Sequence, residues 1–79
     1  MENQEIKEKI RKILVSILKH DRFEMIDELV TTDVDGWDSL THMYIITTIE
    51  KDFNVKFSLK ELNKLKNLKS LVDLIKSKL

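Results

Sequence analysis

The chain has 79 residues, fourteen basic and fourteen acidic side chains, a formal net charge of zero, one glycine, and neither cysteine nor proline. This length gives a single domain, residues 1–79, near the lower limit for independent folding. Without cysteine there is no disulfide, thiolate metal site or cysteine nucleophile; with so few breakers, long helices are favoured over a sheet with tight turns.

The N-terminal residues Met1-Glu2-Asn3-Gln4-Glu5 have neither the basic start nor the apolar run of a signal peptide. No apolar stretch approaches membrane-spanning length. The expectation is a cytoplasmic protein with no membrane insertion. Ile6, Ile10, Ile13, Leu14 and Ile17 then recur at helical spacing among Glu, Lys and Arg. They predict an amphipathic helix from about Asn3 to Lys19, with Asn3 as its N-cap.

A long connection follows, from Asp21 to Asp38. It carries Phe23, Ile26, Leu29, Val30 and Val34, which are expected to pin it to the core, with a short helical turn around Asp27 to Val30. A connection this long in so small a domain usually has a function. It is also acidic: seven carboxylates, Asp21, Glu24, Asp27, Glu28, Asp33, Asp35 and Asp38, face one base, Arg22. Such a field steers a basic partner, although a charge run is equally read as a solvated loop.

The second helix is predicted from Ser39 to Asp52, capped by Asp38 or Ser39. Ile45, Ile46, Ile49 and Phe53 supply its inner face; Leu40, Met43, Tyr44 and Thr47 fall elsewhere and are available to a partner. The pattern breaks at Asn54 to Phe57. Ser58-Leu59-Lys60-Glu61 is a capping box opening a short helix that holds Leu59, Leu62 and Leu65. Asn67 caps a last helix, in which Leu68, Leu71, Val72, Leu74, Ile75 and Leu79 form a stripe. The predicted class is all-α: a four-helix bundle of three longer helices and a short third one, with the long loop between helices one and two, around one core.

Several chemistries are disfavoured. His20 and His42 lack the i, i+4 histidine spacing of a helix-borne metal site; His20 is read as a cation at a helix C-terminus and His42 as a surface residue. The single glycine excludes a glycine-rich phosphate loop. Aligning Gly36 with the sixth position of a calcium loop puts Thr31 first and His42 last, where an acid and a bidentate glutamate are needed. No metal is expected. The eight lysines from Lys51 onward alternate with leucines and have no interleaved aromatics for base stacking, so no nucleic acid is expected either.

That leaves Ser39, in Gly36-Trp37-Asp38-Ser39-Leu40. A hydroxyl there is carried on a rigid element beside the backbone N–H groups that open a helix, which favour a bound phosphate. Serine at a helix start is most often only a cap. Its setting suggests more: an adjacent acid, an apolar residue after it, an acidic approach loop and an amphipathic helix beyond are what a carrier with a swinging arm needs.

The chain resembles the acyl carrier protein family over nearly its whole length. Asp38-Ser39-Leu40 is the most specific part. Ile49-Glu50-Lys51-Asp52-Phe53-Asn54-Val55-Lys56-Phe57 is similar to the segment ending the family's second helix, and the leucine stripe from Leu62 to Ile75 to its third and fourth helices. The resemblance implies that a phosphopantetheinyl transferase, using magnesium, moves 4′-phosphopantetheine from coenzyme A to the Ser39 hydroxyl. The resulting thiol holds an acyl or aminoacyl group as a thioester. It also implies that Asp38 contributes to transferase recognition, and that the protein is not an enzyme but a partner and substrate of activating ligases and acyl-processing enzymes. Asp35, Leu40, Met43, Tyr44 and Thr47 join Asp38 as candidate recognition residues, and a monomer is expected.

The chain departs from carriers of primary fatty-acid synthesis, which are usually acidic along the second helix. That surface here offers Thr41, His42, Tyr44, Thr47, Thr48 and Lys51. Leu62 and Leu71 stand where such carriers often have small residues, and are expected to narrow the space for an acyl chain. The resulting expectation is a stand-alone carrier of a specialised pathway with a short or polar cargo. Trp37 fits such carriers, and equally fits a role in packing the loop onto the core. Two alternatives stay open: an aminoacyl carrier of the D-alanyl type, and a cofactor-free helical interaction module that uses the Leu40, Met43, Tyr44 face.

Overall fold

Isoleucines at 6, 10 and 13 and Leu14 align on one face of the first helix, and all four are buried. This stripe organises the domain. In the computed structural model, which describes residues 2–79, α1 (Asn3–Leu18) packs against both α2 (Ser39–Phe53) and α4 (Leu68–Lys78). The five-residue α3 (Leu59–Asn63) and a 3₁₀ turn (Thr31–Asp33) complete the elements, and there is no strand among the described residues. The all-α bundle with a short third helix and a long first connection is therefore what the molecule adopts. Among the described residues, no helix is long and apolar enough to cross a membrane. Met1, the first residue of the N-terminal stretch, lies outside the described residues.

The core is built from the predicted stripes. Ile45, Ile49 and Phe53 of α2 and Leu68, Leu71, Val72 and Ile75 of α4 form one buried cluster with the α1 face, and Ile46 is buried as well. Burying one such side chain contributes roughly 1.5–3 kcal/mol before conformational entropy is charged against it. The Lys9 ammonium lies over the Phe53 ring, 4.7 Å from its centroid, a cation–π contact between α1 and the end of α2.

The capping box before α3 is present: Ser58 N–H donates to Glu61 Oε1 at 2.8 Å, and Glu61 N–H to Ser58 Oγ at 3.1 Å. The first of these bonds holds the Glu61 carboxyl below its usual range. Asn67 caps α4 by accepting from Ser70 N–H at 3.0 Å. The free amides at the start of α4 also find partners in the long connection. Leu68 N–H donates to Leu29 C=O at 2.8 Å, and Lys69 N–H to Asp27 C=O at 3.1 Å. With Leu29 and Val34 buried, this moors the middle of the connection to the bundle.

Several boundaries and contacts differ from expectation. Asn3 is the first helical residue rather than the cap; Glu2 takes that place, its N–H reaching Glu5 Oε1 at 3.2 Å. The helix ends at Leu18, where Lys19 turns left-handed (φ 65°). The helical turn of the connection lies at Thr31–Asp33 instead of Asp27 to Val30. Ile26, Leu59 and Leu79 do not enter the core, being 48%, 74% and 55% exposed. Leu59 is the first residue of a helix too short to present a full face, and Leu79 lies beyond the last turn of α4.

Candidate functional site

The site is assembled where the long connection meets α2. Gly36 takes φ +84°, a left-handed conformation that a Cβ disfavours, and turns the chain into Trp37 and Asp38. Asp38 is extended and caps α2: its Oδ1 accepts Thr41 N–H at 2.8 Å, while its carbonyl accepts His42 N–H at 2.8 Å. The Thr41 amide holds the Asp38 carboxyl below its ordinary range. The open question of the cap is thus answered in favour of Asp38. Ser39, first in the helix, is exposed, and its hydroxyl makes no hydrogen bond among the described residues.

The two histidines brace this corner from opposite sides. His20 Nε2 lies 2.7 Å from Asp35 C=O, and its Nδ1 accepts Arg22 N–H at 3.0 Å. An amide can only donate and a carbonyl only accept, so this pattern puts the ring proton on Nε2 and leaves Nδ1 bare. His20, read from the sequence as a cation at the helix end, lies two residues past α1 and ties Arg22 N–H to Asp35 C=O, with Phe23 edge-on at 5.8 Å. His42 is not a free surface residue. It is half-buried, and its Nδ1 accepts the Trp37 indole N–H at 3.0 Å. Trp37 is itself packed against the core, as its loop-anchoring reading required.

Beside Ser39 opens a pocket of about 540 Å³. Trp37, Asp38, Ser39 and His42 line it from the corner, and Thr31, Lys66 and Asn67 from the facing segments. Ile10, Leu14, Ile46, Leu62 and Leu71 make its lining largely apolar. Leu62 and Leu71, expected to narrow the space for an acyl chain, are among the walls of this pocket. α2 and α4 both pack on α1, and Leu62 of the short α3 lies along the pocket. Volumes of ~300–1,000 Å³ are typical of small-molecule sites.

The remaining candidate residues form a surface. Leu40, Met43 and Tyr44 are 84%, 56% and 64% exposed on successive turns of α2, and Thr47 continues the stripe with its hydroxyl turned back onto Met43 C=O at 2.8 Å. Asp35 is exposed in the connection that precedes α2. Its carboxylate lies 3.8 Å from Arg22, too loose and solvated a pair to add much stability. The pocket and the Trp37–His42 bond had no signal in the sequence. The three-residue spacing between Ser39 and His42 did place them on neighbouring turns.

Comparison with known proteins agrees with this geometry. Residues 8–75 match the family described as "Phosphopantetheine attachment site". The chain is 34% identical, over 80 aligned positions, to the acyl carrier protein of Petrotoga mobilis, an alignment covering 100% of this chain and 93% of that one. No solved structure matches.

Proposed function

The chain belongs to the acyl carrier protein family, whose covalent cofactor is 4′-phosphopantetheine, and we propose that Ser39 is the residue that bears it. The observation carrying this is the division of labour at the start of α2: Asp38 does the capping, so the exposed Ser39 hydroxyl is left free. The residues present fit the group. A phosphodiester on Ser39 gains from the helix start, where negative charge is favoured. The adjoining pocket offers an apolar lining next to the attachment point. When bound, the group supplies a terminal thiol that holds acyl groups as thioesters.

The chain's own contribution is to present, shield and dock. The Gly36–Asp38 corner holds the hydroxyl outward for a phosphopantetheinyl transferase. The pocket accepts apolar cargo, which favours an acyl over an aminoacyl group. The volume of the pocket supports an acyl chain more than the short or polar cargo expected from Leu62 and Leu71. The Leu40, Met43, Tyr44 and Thr47 face, together with Asp35 and Asp38, receives the transferase, the activating ligase and downstream acyl-processing enzymes. The lack of carboxylates along that face supports partners that read apolar shape more than charge, and hence a specialised pathway.

Peptide mapping tests the assignment. Cleavage after Arg22 and Lys51 releases Phe23–Lys51, in which Ser39 is the only serine. After incubation with coenzyme A and a broad-specificity transferase, the added mass should lie on this peptide and fragment to Ser39. An added mass on any other residue would remove Ser39 from its role.

A further inference from the structure

Trp37 fixes the chemistry that His42 shows to the pocket. An indole N–H is a donor only, so the ring nitrogen it meets at 3.0 Å, His42 Nδ1, must be unprotonated. The neutral imidazole then carries its proton on Nε2. Among the described residues Nε2 has no hydrogen-bond partner. His42 lines the pocket beside Ser39, one turn further along the same helix, and its ring is held by both the helix and the indole, whose ring centroid is 6.0 Å away. The corner thus contains an oriented N–H donor that no protein atom uses and that solvent reaches, since no unpartnered side-chain nitrogen or oxygen is buried among the described residues.

We infer that His42 Nε2–H binds a carbonyl oxygen of whatever enters the pocket from Ser39, and that Trp37 is the positioning residue that keeps this tautomer and ring orientation. The inference rests on Ser39 as the attachment point. An arm fixed there passes His42 on its way into the pocket, and elsewhere the lining offers mainly apolar contacts. Cargo that covers His42 displaces the water at this donor, so a carbonyl that takes the water's place is favoured over a purely hydrocarbon surface. The carbonyl has two sources: an amide of the arm, or the acyl carbonyl of the cargo.

The test uses protein labelled with ¹⁵N at histidine, in four forms: unmodified, arm with free thiol, arm with a hexanoyl thioester, and arm with a hexyl thioether that lacks the carbonyl. Intact mass is recorded first, so that failed attachment at Ser39 is recognised separately from failure of the inference. Ring ¹⁵N spectra should show the Nε2–H tautomer for His42 in every form. If an arm amide is the acceptor, the Nε2 resonance shifts in all three loaded forms relative to the unmodified protein. If the cargo carbonyl is the acceptor, it shifts in the thioester form alone. Trp37→Phe should lose the tautomer preference and weaken the shift. His42→Gln retains one acceptor and one donor and should keep the loaded form's increase in melting temperature, which His42→Phe should reduce. An Nε2 resonance that is unchanged in all three mass-verified forms would overturn the inference, as would a His42→Phe protein that gains as much from loading as the wild type.

Discussion

Asp38 Oδ1 accepts the Thr41 amide at 2.8 Å, and through this bond the cap of α2 is assigned to a residue other than Ser39. The consequence is a separation of roles between adjacent residues. Ser39→Ala should change stability by no more than about 0.5 kcal/mol, as for other surface substitutions remote from special features. Asp38→Ala should destabilise clearly more, because the Thr41 amide loses its partner. Urea melts of the two variants check this. The reverse order would make Ser39 the structural cap and weaken the case for a free hydroxyl.

The same bond gives a pH dependence. The Asp38 carboxyl is held below its ordinary value of 3.8 by the Thr41 amide. A group with a depressed folded-state pKa adds stability that is fully present above the unfolded value and is lost as pH falls through the folded one. Asp27, lowered by its hydrogen bond from Lys7, and Glu61, lowered by Ser58 N–H, act in the same direction. Stability should therefore fall as pH drops below about 4. Asp38→Asn, which still caps but cannot titrate, should show a shallower acid limb. Denaturant melts between pH 2.5 and 6 measure it, and an identical slope in the variant would show that Asp38 is not a contributor.

Gly36 is required for its backbone conformation. A Cβ there would meet Leu18 Cδ2 at 3.7 Å, an ordinary contact, so space is not the constraint. The φ of +84° is. Gly36→Ala should cost about 1–2 kcal/mol, and Gly36→Asn less, since asparagine tolerates left-handed backbone better. Equal costs for the two substitutions would point to packing instead.

The helices were legible because each writes its buried face as a stripe: Ile6, Ile10, Ile13 and Leu14, then Ile45, Ile46, Ile49 and Phe53. The capping box at Ser58 was legible because its partners lie three residues apart. What the sequence did not disclose depends on distance in space. Leu62 and Leu71 were read as narrowing the space for an acyl chain, but how much room two lining leucines leave depends on how the helices around them are placed. The His20 and His42 roles rest on Asp35 C=O and the Trp37 indole, and a histidine's ring proton is placed by its neighbours, not by its position in a helix.

The pocket sets a prediction opposite to the one drawn from leucine content. Apolar cargo entering it leaves water together with the lining, so a long-acyl form should melt above the free-thiol form. Leu71→Ala should destabilise the protein by about 2–5 kcal/mol, the side chain being buried. Leu62→Trp, which intrudes into the pocket, should reduce the gain from the acyl chain. Thermal melts of the loaded forms decide it; an acyl chain without effect on the wild type would mean that the cargo stays outside.

The central claim is that Ser39 bears the arm, and intact-protein mass spectrometry tests it most directly. Wild type and Ser39→Ala are incubated separately with coenzyme A and several active phosphopantetheinyl transferases. The account predicts that the wild type gains the mass of one phosphopantetheine and that Ser39→Ala, folded and of similar stability, gains none. A wild type unchanged by every transferase, or a Ser39→Ala protein modified as fully as the wild type, would contradict it.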